Sequence, residues 1–314
     1  MHILIPDDYQ NAVCTLDCFS KLTGHTVTIY SDTVTDLDTL AARLEPADAL
    51  VLIRERTHIT ADLLARLPRL KLIAQTGRGT THIDLAACAQ RGITVTHGSG
   101  SSHATAELTW ALILAATRFI PQEVARLKAG EWQGHFGRGL HGRTLGIWGY
   151  GGIGSLVARY GQAFGMRVIV WGREGSVSRA RADGFSPAPD RDTFLAECDV
   201  LSLHVKLNAE TRGLVTAADF ARMKPDALFV NTSRAELIEP GALVGALRAG
   251  RPGFAAVDVY EQEPILGADH PLLKMDNVIC TPHLGYVEKD SYEGYFGQAF
   301  DQVVAFAEGQ SVKF

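Results

Sequence analysis

Three loop segments of this 314-residue sequence carry side chains that could act together on a small organic acid. They are Asn231-Thr-Ser-Arg234, Asp258-Val-Tyr-Glu-Gln-Glu263-Pro264 and Thr281-Pro-His283-Leu-Gly285. Each follows a short apolar run that reads as a strand, and open α/β sheets bind ligands at strand ends. Arginine grips a carboxylate by two parallel hydrogen bonds. Histidine can deliver a proton to a carbonyl oxygen as a hydride reaches its carbon, and a paired carboxylate keeps the imidazole protonated and oriented. The set therefore suits hydride transfer to a 2-oxo acid. Taken singly, each residue has a plainer reading. Arg234 would be a surface ion pair, Glu263 solvated, and His283 a loop histidine with a satisfied hydrogen bond. Their joint occurrence downstream of a nucleotide signature gives the functional reading its weight.

That signature is Gly149-x-Gly151-x-x-Gly154, preceded by a strand-like run at 145–148 and followed by a helical pattern at 153–164. Strand, glycine turn and helix in this order are the context that a dinucleotide fingerprint requires. Gly149 allows the turn, Gly151 lets the backbone approach a pyrophosphate, and Gly154 lets helix and strand pack closely. The helix start offers free N–H groups and a positive dipole end to phosphates. The loop from Gly149 through Tyr150, Gly152 and Ile153 to Gly154 is the candidate cofactor cradle.

The elements that position these groups alternate strand and helix. Before the fingerprint, strands are expected at 2–5, 26–30, 49–53, 71–74 and 93–96, with helices at 37–44, 61–67 and 83–90. A long apolar helix at 104–118, a second helix up to Lys128 and a glycine-rich loop to Gly142 lead into the fingerprint strand. After it, strands are expected at 168–171, 199–204, 227–231, 254–259 and 278–280. Helices are expected at 177–182, 219–223, 241–248 and 289–308. Such alternation implies α/β architecture with parallel sheets covered on both faces. With one doubly wound sheet on each side of the chain's mid-point, the active site is expected in a cleft between two domains.

Composition excludes several classes. Hydrophobic residues make up 46%, charged residues 21%, and the net charge is −5. Nothing suggests a nucleic-acid or membrane surface. The start, Met1-His-Ile-Leu-Ile-Pro-Asp-Asp, lacks a signal-peptide layout, and no apolar run approaches a membrane span. Five scattered cysteines, Cys14, Cys18, Cys88, Cys198 and Cys280, read as mostly buried free thiols in a reducing cytoplasm. Cys14 and Cys18 lack a second pair, so no metal site is expected. Little follows the last helix, so an appended regulatory domain is not expected.

The chain resembles the D-isomer-specific 2-hydroxyacid dehydrogenases along nearly all its length. Matching pieces are Gly92-Ile-Thr-Val, Ala106-Glu107-Leu108, Gly142-Arg-Thr-Leu-Gly146-Ile, the fingerprint, Leu203-His204, Glu210-Thr211-Arg-Gly, Pro271-Leu and the three loop segments. The resemblance implies two doubly wound parallel-sheet domains. A Rossmann NAD(P)-binding domain (102–284) would be inserted in a flavodoxin-like substrate domain (1–101 and 285–314). It implies that Arg234 binds and polarises a 2-oxo acid, that His283 is the acid/base, and that Glu263 pairs with it. Asp258 would help position the nicotinamide carboxamide, with His204 and Thr232 also on the cofactor side. A homodimer in the cytoplasm is expected, acting on a small 2-oxo or 2-hydroxy acid, with no nucleic-acid or membrane partner. Reduction needs His283 protonated and oxidation needs it neutral, so the two directions should show opposite pH dependence.

The chain departs from the family pattern at three places. His97-Gly-Ser-Gly100 replaces Asn-x-Pro-Gly, and Lys206 follows Leu203-His204-Val where proline is common. The acidic residue that would read the NAD ribose is expected near Gly172, where Gly172-Arg173-Glu174 stands instead. Arg173 could face a 2′-phosphate, which slightly favours NADP(H) over NAD(H). Arg173 stacked on adenine, with NAD retained, is the competing reading. On the substrate side, Thr76-Gly77-Arg78-Gly79 fits the loop whose N–H groups meet the substrate carboxylate. Arg54, Arg56 and Arg78 could accept a second anionic group. Alternatives on the same scaffold are phosphite or other small-anion oxidation and a non-catalytic, NAD(H)-sensing corepressor-like protein. Glu263 argues against formate oxidation, since formate enzymes of the superfamily pair the histidine with glutamine.

Overall fold

The computed structural model describes residues 1–312; residues 313 and 314, the last of the expected substrate domain, lie outside the described residues. The chain forms two compact units, Met1–Ser101 with the segment from Val287 on, and Ser102–Tyr286.

The first unit alternates β1 (His2–Ile5), β2 (Thr26–Ile29), α1 (Leu37–Leu44), β3 (Ala49–Leu52), α2 (Ala61–Ala65), β4 (Leu72–Gln75), α3 (Leu85–Gln90) and β5 (Thr94–His97). All pairs are parallel, in the order β2-β1-β3-β4-β5. This is the flavodoxin-like order, whose switch point lies between β1 and β3. Both β3 and β4 are buried along their whole length, as strands covered on two faces must be. Side-chain caps start the helices: Asp36 accepts from Thr39 N–H, Thr60 from Leu63 N–H and Asp84 from Ala87 N–H. Helix α2 ends at Ala65, short of the expected 67, because Leu67 precedes Pro68 and a residue before proline avoids the helical region.

The second unit starts with α4 (His103–Thr117) and α5 (Ile120–Lys128). It continues through β6 (Thr144–Trp148), α6 (Gly152–Ala163), β7 (Arg167–Trp171), α7 (Glu174–Ala182), β8 (Ser186–Pro187) and α8 (Arg191–Glu197). It ends with β9 (Val200–Leu203), α9 (Ala217–Arg222), β10 (Leu228–Asn231), α10 (Ala242–Arg248), β11 (Phe254–Val257) and β12 (Val278–Cys280). Its seven strands are parallel in the order β12-β11-β10-β9-β6-β7-β8. Counted from β6, that is the Rossmann order with one strand added, reversing direction between β6 and β9. One core cluster gathers Trp148, Phe194, Phe220 and Phe229, and another gathers Ile113, Val157, Val170 and Val230. Buried α4 packs against α6, β10 and β11. Two elements of this unit, β8 and α8, are too short and too weakly patterned to stand out in the sequence.

The final helix, α11 (Lys289–Ala307), belongs to the first unit, where it packs on β4, β5 and the 3₁₀ turn Asp17–Leu22. Glu288 caps it, accepting from Ser291 and Asp290 N–H. No helix among the described residues is long and apolar enough to cross a membrane. Of the five free cysteines only Cys88 and Cys198 are buried. Cys14 is exposed, which corrects the expectation of mostly buried thiols. It sits on the 3₁₀ turn Val13–Thr15, whereas Cys18 is on the next one.

Candidate active site

Arg234, Glu263 and His283 sit on loops that follow β10, β11 and β12, which are neighbours in the second unit's sheet. Asn231 pairs with Val257, and Val257 pairs with Cys280. Parallel pairing in register brings the three strand ends, and the loops leaving them, to one sheet edge. His283 Nδ1 lies 2.6 Å from Glu263 Oε2, and Glu263 Oε1 accepts the backbone N–H of Tyr260 at 2.9 Å. The carboxylate can only accept, so Nδ1 carries the hydrogen and donates it to Glu263, which leaves Nε2 for chemistry. Both side chains are partly exposed, His283 at 23% and Glu263 at 33%. The ring of Tyr286 meets the imidazole edge-on at 5.3 Å.

His283 has φ +53°, a left-handed conformation that costs a non-glycine residue roughly 1–2 kcal/mol. Neighbouring hydrogen bonds hold it there. The carboxylate of Asp258 accepts from Thr281 Oγ1 at 2.6 Å, Leu284 N–H at 2.7 Å and Gly285 N–H at 2.9 Å. Thr105 of α4 donates to the Gly285 carbonyl at 2.7 Å, and Tyr260 Oη donates to the Thr281 carbonyl at 3.0 Å. Asp258 is fully buried. Burial pushes its carboxyl up, opposed by the Thr281 hydroxyl, the Leu284 N–H, the His283 imidazole and the Gly285 N–H.

The Arg234 loop joins the same frame. Asp258 N–H donates to the Asn231 carbonyl at 3.0 Å. Asn231 Nδ2 donates to the Arg234 carbonyl, and its Oδ1 accepts from Ser233 N–H, both at 2.9 Å. Arg234 is half-buried, and its Nη1 donates to the Ser233 carbonyl at 2.7 Å. Asn231, Tyr260, Thr281 and Tyr286 thus enter the cluster although sequence reasoning assigned them no role. The signal available for Thr281 and Tyr260 was their place inside the three segments.

The fingerprint forms the turn between β6 and α6. Gly149 has φ +96°, and a Cβ on it would lie 2.5 Å from the His204 carbonyl oxygen. A Cβ on Gly154 would lie 2.2 Å from the Gly149 carbonyl, so only glycine lets α6 approach the turn. Around Gly151 a Cβ would meet nothing within 4 Å, and Gly151 and Gly152 are exposed. That open space beside the first N–H groups of α6 fits a dinucleotide phosphate. Ile153 is half-buried. The Tyr150 side chain turns away into the core, donating to Asp183 at 2.7 Å, so only its backbone is available to a ligand.

His204 follows β9 with Nε2 2.8 Å from Ser202 Oγ, and burial pushes its imidazole down to about 3. It is a neutral ring beside the turn. The Thr232 hydroxyl is buried against Thr109 Oγ1 at 2.7 Å, which leaves its backbone for any ligand. Arg173 is the N-cap residue of α7, with its side chain 79% exposed and a loose 3.8 Å contact to Glu210. A Cβ on Gly172 would stand 3.1 Å from the Ser176 Cβ.

The remaining expected ligand groups belong to the first unit. Arg54, with φ +54°, follows β3 and donates its backbone N–H to Thr76 Oγ1 at 2.8 Å. Its guanidinium lies across Gly77, where a Cβ would meet Nη1 at 1.8 Å, and faces the Tyr295 ring at 5.4 Å. Gly79 is covered by Glu55, whose Oε1 would be 2.2 Å from an added Cβ. Arg78 is exposed. Arg56, expected as a partner for a second anion, is instead engaged within the unit. It donates to the Asp7 carbonyl at 2.6 Å and to Tyr292 Oη at 3.2 Å, and it stacks over Tyr9 at 4.4 Å. His82, beside this loop, is buried, and neither ring nitrogen has a hydrogen-bond partner among the described residues.

The chain is similar to known proteins along most of its length. The family model described as the D-isomer specific 2-hydroxyacid dehydrogenase, NAD binding domain, matches residues 110–285. The chain is 39% identical to a glyoxylate reductase of Aeropyrum pernix, over 87% of this chain and 84% of that one. It is 40% identical to a D-3-phosphoglycerate dehydrogenase of Methanocaldococcus jannaschii, over 78% of this chain but 47% of that one, so it spans about half that relative's length. A crystal structure of a phosphoglycerate oxidoreductase from Vibrio cholerae superposes with TM-score 0.96 at 55% identity, covering 98% of this chain and 99% of the other. The fold, the fingerprint and these similarities together place the chain in the D-isomer specific 2-hydroxyacid dehydrogenase family, as an oxidoreductase with that family's NAD-binding domain.

Proposed function

We propose that the protein transfers a hydride between NAD(P)(H) and a short 2-oxo acid or D-2-hydroxy acid. Arg234 holds the carboxylate and His283 carries the proton, with Glu263 as its charge partner. The observation that carries this reading is the His283–Glu263 contact at 2.6 Å, on strand ends next to that of Arg234. The nicotinamide, when bound, supplies or accepts the hydride. In reduction His283 gives the proton on Nε2 to the substrate's carbonyl oxygen. In oxidation neutral Nε2 takes the hydroxyl proton, and Glu263 offsets the charge that forms. Within the first unit, the backbone N–H groups around Gly79, with Arg54 and Arg78, are the candidate anion-binding groups. Glu55 over Gly79 and the engaged Arg56 favour a substrate without a second anionic group. NAD(P)H absorbance with glyoxylate, hydroxypyruvate, pyruvate and 3-phosphohydroxypyruvate tests the proposal. Turnover of the first three above the last is expected, and no turnover of any of them would remove it.

The absence of an acid at Gly172 and the exposed Arg173 at the start of α7 favour NADP(H) over NAD(H). A charge-assisted bond to a 2′-phosphate is worth about 1.5–3 kcal/mol. Arg173→Ala should therefore cut kcat/KM for NADPH by about tenfold or more and spare NADH. A wild-type preference for NADH would overturn the choice.

The partner in this reading is a second copy of the chain. Ile120, Val124 and Leu127 of α5, with Trp132 and Phe136 after it, are exposed large apolar side chains, Phe136 at 99%. Such a run marks an interaction surface. Sedimentation of the wild type as a dimer, and of Phe136→Asp with Leu127→Asp as a monomer, would support it; a monomeric wild type would not. Five unpaired thiols accord with a cytoplasmic location.

A further inference from the structure

The loop that leaves β3 holds a carboxylate over the glycine loop that leaves β4. Arg54 opens it with φ +54°, and its own backbone is tied at both polar groups. The Arg54 N–H donates to Thr76 Oγ1 and its carbonyl accepts from Gln75 Nε2, each at 2.8 Å, and both of these partners are buried. On the other flank Arg56 donates to the Asp7 carbonyl, and Thr57 Oγ1 donates to Asp7 Oδ2. A turn closes between the anchors, with the Arg56 N–H donating to the Ile53 carbonyl at 3.3 Å. Glu55 stands at the tip of this turn with both neighbours held. A Cβ added to Gly79 would lie 2.2 Å from Glu55 Oε1, and the three atoms nearest to it all belong to Glu55. Arg54 covers Gly77 in the same way. One clamped loop thus lays a cation over Gly77 and an anion over Gly79.

We propose that Glu55 determines substrate choice. It accepts a hydrogen bond from a hydroxyl on carbon 3 of a 2-oxo acid whose carboxylate lies on the N–H groups around Gly79, and it turns away acids that carry a phosphate there. The inference rests on the reading of the protein as a 2-oxo acid reductase. Only carbon 2 separates carbon 3 from the carboxylate, so a side chain that overhangs the carboxylate site is within reach of what carbon 3 bears. An ionised carboxylate only accepts, and its oxygens offer about four lone-pair sites, so contacts within the protein leave room for a substrate hydroxyl. A methyl group at that point would displace water from the carboxylate and give it no donor in return. A phosphate would bring like charge against it. Arg54 and Arg78 supply the positive charge that offsets the repulsion between Glu55 and the substrate's own carboxylate. Burial holds the neighbouring His82 imidazole down, to about 4, so it is uncharged near neutral pH and leaves the Glu55 charge in place. A site that hydrogen-bonds a substrate hydroxyl discriminates strongly against the analogue that lacks it.

The test compares substrates on each enzyme, so it reads ratios rather than levels. Wild type should reduce hydroxypyruvate with a kcat/KM at least about tenfold above that for pyruvate, the scale of one charge-assisted hydrogen bond. Glu55→Ala should lower that ratio by about tenfold. It should also raise 3-phosphohydroxypyruvate relative to pyruvate by about tenfold, because Arg54 then meets the phosphate unopposed. Glu55→Gln keeps an acceptor oxygen and removes the charge. It should retain part of the preference for hydroxypyruvate while still raising the phosphorylated acid, and it serves if Glu55→Ala does not fold. A loop that is merely distorted would lower all three substrates together. Unchanged ratios in both variants would therefore overturn the inference, as would a wild type that reduces pyruvate as well as hydroxypyruvate. In either case the turnover itself would leave the reductase reading standing. No turnover of any 2-oxo acid by wild type would remove both.

Discussion

Glu263 offers one carboxylate oxygen to the backbone N–H of Tyr260 and the other to Nδ1 of His283, at 2.9 and 2.6 Å. The backbone contact prevents the carboxylate from swinging away, so the imidazole is held in one orientation. The pair sits on a loop and a turn leaving adjacent strands, with the Tyr260 backbone as its anchor.

Glu263→Gln keeps the shape of that contact and removes the charge that stabilises the imidazolium. The kcat for 2-oxo acid reduction should fall by about 10²-fold, within the range of general acid catalysis. An unchanged kcat would show that Glu263 contributes shape alone.

Gly149→Ala should be more damaging than an ordinary surface glycine substitution. Its φ is +96°, and the added Cβ would strike the His204 carbonyl at 2.5 Å. A loss of about 1–3 kcal/mol in stability is expected for a strained backbone position, with Kd for NAD(P)H weakened at least tenfold by displacement of the turn. Denaturant unfolding and cofactor titration check the two effects. Gly151→Ala, where a Cβ meets nothing in the protein, should lose cofactor affinity with little loss of stability.

Acid should destabilise the fold through His82. Burial pushes its imidazole down to about 4, opposed by Glu55. The folded chain therefore resists protonation that the unfolded chain accepts below its ordinary value. Stability from this group is complete above that ordinary value and is lost as pH falls toward 4. Between about pH 7 and about pH 4.5 the loss should be on the order of 2 kcal/mol. Urea midpoints of wild type and His82→Asn check it, and a variant with the same acid sensitivity as wild type would refute it.

Every strand but β8 was readable, as a short run rich in apolar and β-branched residues. The 49–53 expectation became β3, with every residue buried. The three chemical segments were readable because each follows such a run, and strand order then brought their ends to one edge. The hydrogen bonds at Asp258 were not readable. A buried aspartate and an exposed one look alike in sequence, and three of its partners are donors 23 to 27 residues away, two of them backbone. Nor was the engagement of Arg56, which depends on Asp7 and Tyr292, 49 and 236 residues distant. Local pattern reports which face of an element is apolar; it does not report which loop atoms meet.

The most direct test follows turnover in both directions from acid to alkaline pH, with wild type and His283→Gln. Reduction of the 2-oxo acid should weaken as pH rises and oxidation of the D-2-hydroxy acid as pH falls. Both should drop by about 10²-fold or more when His283 becomes glutamine. Near-normal turnover in His283→Gln, or profiles that fall in the same direction, would contradict the assignment of His283 as the proton carrier.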